Sequence, residues 1–341
     1  MVKESSFRYI QARKTTFNNH RHKEWGMTKK LEDEIPRFNM DRFDFFRPKS
    51  DFHTHPILTR KKHIKPFCFI LGAQDPEMDE IEKLLRENGE AYRYAEYDGK
   101  RSLPWNSYIA NSVWIPPDTV AVLVECEPVQ FEGYNAVIRI IDHHRPGDPG
   151  HDCSPEEFWE ASSIGQVYKL LNSVRSQEEQ LTPKHGHMVL AALDHCSAQA
   201  RLGKCPGIDP KEVRELSINY TAQGKGISVV SVEATVKHMY NHVLGSEKTL
   251  IGAQLVVDLT HTSIGLGYSL EFLCLQEAIN DLGQVGLVKT KNRIDGPDKI
   301  VICGAAAPET IRYFMKSWAP NHNLKYIYGV PARGYAGGYR S

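Results

Sequence analysis

The sequence predicts an α/β fold, a doubly wound and mostly parallel sheet followed by a second, smaller α/β domain. Three apolar runs, Phe67–Leu71, Val120–Val124 and Ala136–Ile141, have the length and continuity of strands buried on both faces. Helical patterns separate or follow them, as a parallel sheet requires of its crossovers. The third observation is where the runs stop. Each is followed by carboxylates or histidines, and open sheets gather ligands along the carboxyl edge of their strands.

Taken in order, residues 1–66 read as a basic N-terminal extension, with 16 Lys/Arg against 8 Asp/Glu. The remainder of a chain whose formal net charge is zero is therefore acidic. Arg13, Lys14 and the cluster His20 to Lys23 suit contact with phosphates or belong to a loosely ordered terminus. Residues 67–200 read as the first domain. Asp75-Pro76 opens a helix that carries Ile81, Leu84 and Leu85 on one face and stops near Asn88-Gly89. Ser154-Pro155-Glu156-Glu157 forms a capping box ahead of a helix through Phe158, Val167, Leu170 and Leu171. Met188–Leu193 begins another apolar element leading into Asp194-His195. Residues 201–245, broken by Cys205-Pro206-Gly207 and Gly224-Lys225-Gly226, read as a connecting segment. In residues 246–341, strands are predicted at Leu255–Val257, Val285–Val288, Lys299–Cys303 and Lys325–Tyr328, with helices at Ser269–Leu282 and Pro308–Trp318. A glycine-rich tail, Gly334 to Arg340, closes the chain.

Composition narrows the class. A hydrophobic fraction of 41% and a charged fraction of 25% are those of an ordinary globular protein. The seven cysteines are scattered without a Cys-x-x-Cys pair, which argues for reduced thiols rather than a disulfide framework or zinc knuckle. No apolar run reaches membrane-spanning length and no signal peptide is evident, so a soluble cytoplasmic protein without a membrane partner is expected.

The chemistry sits at the strand ends. Asp75-Pro76-Glu77-Met78-Asp79 follows the first strand, Glu125-Cys126-Glu127 the second and Asp142-His143-His144 the third, while Asp194-His195 ends a later apolar element. Each piece has an ordinary explanation: Asp75 and Glu77 as a helix cap, Glu125 as a carboxylate in solvent, Asp194-His195 as an exposed helix end, the triplet as a surface loop. Their joint occurrence at one sheet edge is better explained by a shared cation, because clustered carboxylates otherwise repel one another. Carboxylates with imidazole and no thiolate suit Mn²⁺ or Mg²⁺.

At these residues the chain resembles the DHH-type phosphoesterases, over roughly residues 67–341. Asp142-His143-His144 matches the family's namesake motif. Ala73 to Asp79 is similar to its first motif, which places Glu77 and Asp79 on the two metal-binding acids and Ala73 in the slot of a leading histidine. Glu125 and Asp194 correspond to its second and fourth motifs, and the segment Ala161–Val167 to the helix after the triplet. The tail resembles the family's glycine-rich phosphate-binding motif, with Tyr339 in its histidine slot. The resemblance implies one firm ion site from Asp79, Glu125, His143 and Asp194. A second site would keep only Glu77 and a share of Glu125, unless His195, His53 or His55 lies within bonding reach of Glu77. It further implies that His144 contacts the scissile phosphate, that Asp142 orients an imidazole, and that Arg145, Arg333, Gly337, Gly338 and Arg340 hold substrate. The expected reaction is hydrolysis of a phosphodiester or phosphoanhydride by metal-activated water. The expected substrate is a nucleotide or short single-stranded oligonucleotide.

Two alternatives remain open at this level. Asp51-Phe52-His53-Thr54-His55 is also similar to the first metal motif of amidohydrolase and polymerase-histidinol-phosphatase barrels, although Arg47 to Ser50 forms no buried strand ahead of it. With Ala73 and Tyr339 in place of histidines, the cleft could instead bind a nucleotide without cleaving it. A homodimer is compatible with everything above.

Overall fold

The computed structural model describes residues 10–11 and 65–340, apart from 105, 111–112, 117, 128–130, 133–136, 263–265, 268 and 292–295. The basic leader, with His53 and His55, thus lies almost wholly outside the described residues. The first sheet contains β1 (Phe67–Leu71), β2 (Ala91–Tyr94), β3 (Val120–Val124) and β4 (Val137–Ile141). Their order is β4-β3-β1-β2, all parallel, with Ile10–Gln11 pairing antiparallel to the outer side of β4. Every residue of β1 and β3 is buried, which is why neither shows polar alternation. Phe67, Phe69, Leu71, Val122 and Val124 face one core, whereas Cys68, Ile70, Ala121 and Leu123 face another that is completed by Ala95, Ala110 and Ile115.

Helix α1 (Pro76–Glu87) begins as its sequence dictates. Asp75 accepts from the Met78 amide at 2.7 Å, and Pro76 occupies the first turn, where no amide is needed. Met78, Ile81, Leu84 and Leu85 form its buried face. The capping box of Ser154 and Glu157 is present. Helix α2 (Ser163–Ser173) starts at Ser162, whose Oγ accepts from the Gly165 amide. Gly165 is obligatory there, because a Cβ would stand 1.7 Å from the Trp159 carbonyl oxygen. Helix α3 (His185–Arg201) carries Asp194 and His195 and breaks its regular geometry at Cys196 (φ −153°, ψ 53°).

Residues 201–245, read from the sequence as a connecting segment, are largely helical. They form α4 (Pro210–Lys225), capped by Asp209 and ended by left-handed Gly226, and α5 (Val229–Gly245). Helix α4 bridges two cores: Val213 packs into the first, and Ile218 and Ala222 into the second. The second sheet comprises β5 (Lys248–Ile251), β6 (Gln254–Leu259), β7 (Val285–Lys291), β8 (Asp298–Gly304), β9 (Leu324–Val330) and β10 (Tyr335–Arg340), in the order β5-β6-β7-β8-β10-β9. Only β6 and β7 pair in parallel, through the crossover helix α6 (Leu270–Asp281). Helix α7 (Pro308–Tyr313) continues through a wider π turn over Phe314–Trp318.

The halves are stitched together by charge. Arg201 of α3 pairs with Glu277 at 2.6 Å and with Asp281, both on α6. Arg214 and Tyr240 also reach Asp281, and Ser217 donates to Glu277. These groups satisfy one another in the interior, so removing a single partner would strand buried charge. No helix among the described residues is long and apolar enough to cross a membrane.

Candidate metal centre

Three chain segments leave the first sheet at the same edge. Glu125 is the first residue after β3 and sits at φ 50°, a left-handed conformation that costs a side-chain-bearing residue on the order of 1 kcal/mol. Its carbonyl packs so closely against the turn after β1 that a Cβ on Gly72 would lie 2.4 Å from the Glu125 oxygen. Glu77, in the first turn of α1, is 1% exposed, and its Oε1 accepts from the Ile164 amide at 3.0 Å. Ser163 Oγ donates to Glu125 Oε1 at 2.7 Å. The first turn of α2 therefore fixes both glutamates.

His143 is fully buried. Its Nε2 lies 3.0 Å from Asp194 Oδ2 and 3.7 Å from Glu125 Oε1. The short His143–Asp194 separation is not an aligned hydrogen bond. Glu77 Oε2, His143 Nε2 and Asp194 Oδ2 are all buried atoms without a hydrogen-bond partner. One ligand atom each from Glu77, Glu125, His143 and Asp194 lies within 4.8 Å of all the others. Leaving such atoms unsatisfied costs about 1–3 kcal/mol apiece, and a divalent cation among them would satisfy all three at once. Three carboxylates and one imidazole fit such an ion.

The electrostatics agree with that chemistry. Burial, with Asp75, Asp194 and Asp142 adding to it against the opposing charge of His144, pushes the Glu125 carboxyl up to about 8. Burial and the charges of Asp194 and Glu125 push Glu77 well above the usual carboxylate range. Asp75 rises to about 7 through burial and the nearness of Asp194. His143 falls to about 4 because burial, Arg333 and His144 all oppose a proton. Asp194 moves the other way: despite burial, His143, His144 and Arg333 hold it below the usual range. Without a cation, the two glutamates answer crowding by keeping protons.

Asp142 organises the loop rather than joining the cluster. Its Oδ1 accepts from the amides of His143 (2.7 Å) and His144 (3.0 Å) and faces His144 Nδ1 at 3.0 Å, while Tyr108 donates to Oδ2 at 2.9 Å. His144 has a side chain 40% exposed, at the mouth of the site. Burial disfavours its charge, but Glu125 and Asp142 outweigh this and raise it to about 9.

Several expected residues lie elsewhere. Asp79 is exposed, accepts from Gln74 Nε2 at 3.0 Å and is absent from the cluster. Two residues along a helix is a rotation of about 200°, so when Glu77 points inward Asp79 must point out. Glu77 takes its place beside Glu125, His143 and Asp194, and Glu125 and His143 also form a smaller group with His144. His195 does not reach Glu77; it stands behind His143, with the Nδ1 atoms 3.1 Å apart. Arg145 pairs with Glu127 at 2.8 Å and covers the Tyr108 ring, so it braces the loop.

The substrate side also differs. Arg333 is 7% exposed and donates to the carbonyl oxygens of His143 (3.0 Å), Asp194 (3.3 Å) and His195. Its guanidinium ties the ligand-bearing segments together instead of being free for phosphate. Gly337 and Gly338 lie in β10, in the interior of the second sheet, and not in a loop of free amides. Arg340 lines a separate groove with His322 and Lys325. Beside the cluster lies a cavity of about 260 Å³ whose walls include Asp194, His195, Ser217, Asn280, Arg333 and Tyr335.

The sequence gives no sign of the part Tyr108 plays, and it marks Ser163 and Ile164 as members of the segment Ala161–Val167. Ser162-Ser163 was a visible N-cap signal, but that its turn would hold Glu77 and Glu125 depends on tertiary placement. Compared with protein families and with curated proteins, the chain matches none.

Proposed function

We propose that this protein is a divalent-metal-dependent phosphoesterase, a divergent DHH-type enzyme, that hydrolyses a phosphodiester or phosphoanhydride of a nucleotide or short oligonucleotide. The observation that carries the reading is the convergence of Glu77, Glu125, His143 and Asp194 with three of their ligand atoms buried and unpartnered. The ion we favour is Mn²⁺ over Mg²⁺, because an imidazole sits among the carboxylates. A bound cation supplies Lewis acidity, which polarises a phosphoryl oxygen and acidifies water.

The chain's own groups then have distinct tasks. Ser163 and the Ile164 amide hold Glu125 and Glu77 in place. Asp142 anchors His144 through Nδ1, which leaves the Nε2–H of a cationic ring for a phosphate oxygen at the mouth. Asp194 belongs to both the cluster and the wall of the neighbouring cavity, which supports a substrate whose phosphate meets the cluster and whose remainder enters that cavity. Reduced thiols at all seven cysteines suit a cytoplasmic setting.

Assaying dinucleotides, cyclic dinucleotides and short oligonucleotides with Mn²⁺ tests the reading. The expected result is turnover that chelation and His143→Ala both abolish. Binding without turnover would favour a nucleotide-binding module instead, a reading that Ala73 in the motif's histidine slot supports.

A further inference from the structure

His143 and His195 lie side by side, both buried, with their rings inclined by 27° and their Nδ1 atoms 3.1 Å apart. On the far side, His195 Nε2 lies 3.4 Å from the carbonyl oxygen of Cys153. Two Nδ1 atoms at this separation share one proton. Which ring owns it follows from the end of the chain, since a carbonyl oxygen can only accept. His195 satisfies Cys153 by carrying its proton on Nε2, and its Nδ1 is then a bare acceptor. His143 must therefore donate from Nδ1, which leaves its Nε2 as a lone pair. The opposite arrangement would set the lone pair of His195 Nε2 against the Cys153 carbonyl. It would also put an N–H on His143 Nε2, where Asp194 Oδ2, although 3.0 Å away, is not aligned to accept it.

We propose that His195 is a positioning residue: the relay from the Cys153 carbonyl through His195 to His143 Nδ1 locks His143 in the tautomer whose Nε2 can ligate a cation. Its consequence for metal affinity rests on the phosphoesterase reading. The tautomer itself is a property of the metal-free protein. A histidine ligand is commonly oriented by a carboxylate, carbonyl or water at its other nitrogen; here a second neutral imidazole takes that part.

Long-range ¹H–¹⁵N NMR of the full chain labelled at histidine reads the tautomer directly, without metal and with diamagnetic Mg²⁺. Calorimetric titration with Mn²⁺ then compares wild type, His195→Leu and His195→Asn. We expect His143 to carry its proton on Nδ1 in the wild type. His195→Leu should lose about 10–100-fold in Mn²⁺ affinity. His195→Asn, whose Oδ1 can still accept from His143, should stay within several-fold of wild type. A proton on His143 Nε2 in the metal-free wild type overturns the relay, and so does undiminished Mn²⁺ affinity in His195→Leu. A wild type with the expected tautomer that binds no cation leaves the relay standing and removes the phosphoesterase reading. Should the leucine variant misfold, the wild-type spectrum still decides.

Discussion

Stripping divalent cations and raising the pH together should loosen this fold, and the size of the effect can be worked from Glu125. A carboxyl raised from 4.5 to about 8 binds its proton more tightly in the folded chain than in the unfolded one. Its contribution is therefore complete below about pH 4.5 and is lost as pH climbs toward 8. At about 1.4 kcal/mol per pH unit, the loss across that window is roughly 5 kcal/mol at most. Glu77 and Asp75 share the same protons, and so the measured loss should be on the order of half that figure. His144, raised to about 9, acts with the same sign: its stabilisation is present below about 6.5 and fades toward 9. Asp194, held low, adds no slope in this range. Mn²⁺ bound at the proposed site would replace the displaced protons. At about 100 times its dissociation constant it should restore roughly 2.7 kcal/mol. Thermal melts in chelator at about pH 6 and about pH 8.5 should differ by on the order of 5–10 °C, with the higher pH less stable. Mn²⁺ should raise Tm more at the alkaline pH, where fewer protons compete for the site. Equal melting temperatures in chelator, or a larger Mn²⁺ effect at the acidic pH, would refute the argument that buried carboxylates are crowded around a cation position.

Three further outcomes follow from the same geometry. Asp79→Asn should leave Mn²⁺ affinity within about 3-fold of wild type by calorimetry, because the helix turns this side chain away from the cluster; a loss of about 100-fold would return Asp79 to the ligand set. His144→Gln should keep Mn²⁺ binding but lower kcat by about 10²–10³, the usual effect of deleting one charge-stabilising donor, and a simple loss of metal would contradict its place at the mouth. Gly72→Ala forces a Cβ to 2.4 Å from the Glu125 carbonyl, so chemical denaturation should show a loss of about 1–3 kcal/mol or more.

The legible parts of this molecule were those governed by local rules. Parallel strands had to bring Glu125 and the Asp142 loop to one edge, and continuous apolar runs marked those strands. Asp79 departs from this because motif spacing alone does not carry helix phase, which turns Asp79 outward when Glu77 points in. Helix α4 was missed although Asp209-Pro210 and Gly226 give it the kind of start signal read correctly at Asp75-Pro76, with a glycine stop besides. Its few buried apolar positions, divided between two cores, blurred the periodicity. The glycines of β10 misled for a different reason. A Cβ on Gly337 would stand 2.4 Å from the Tyr328 hydroxyl, so that glycine reports close packing against a ring rather than a phosphate loop. The histidine relay had no local signal at all. It links Cys153, His143 and His195, which only the packing of α3 against the triplet loop brings together.

Arg333 gives the molecule an order of assembly. The carbonyls it gathers belong to residues as many as 190 positions earlier, and among the described residues no other side chain donates to all three. During synthesis the acids and imidazole emerge long before the group that draws their backbones together. If the proposed centre takes up a cation, the backbones that carry its ligands reach the arrangement seen here only once Arg333 has joined them.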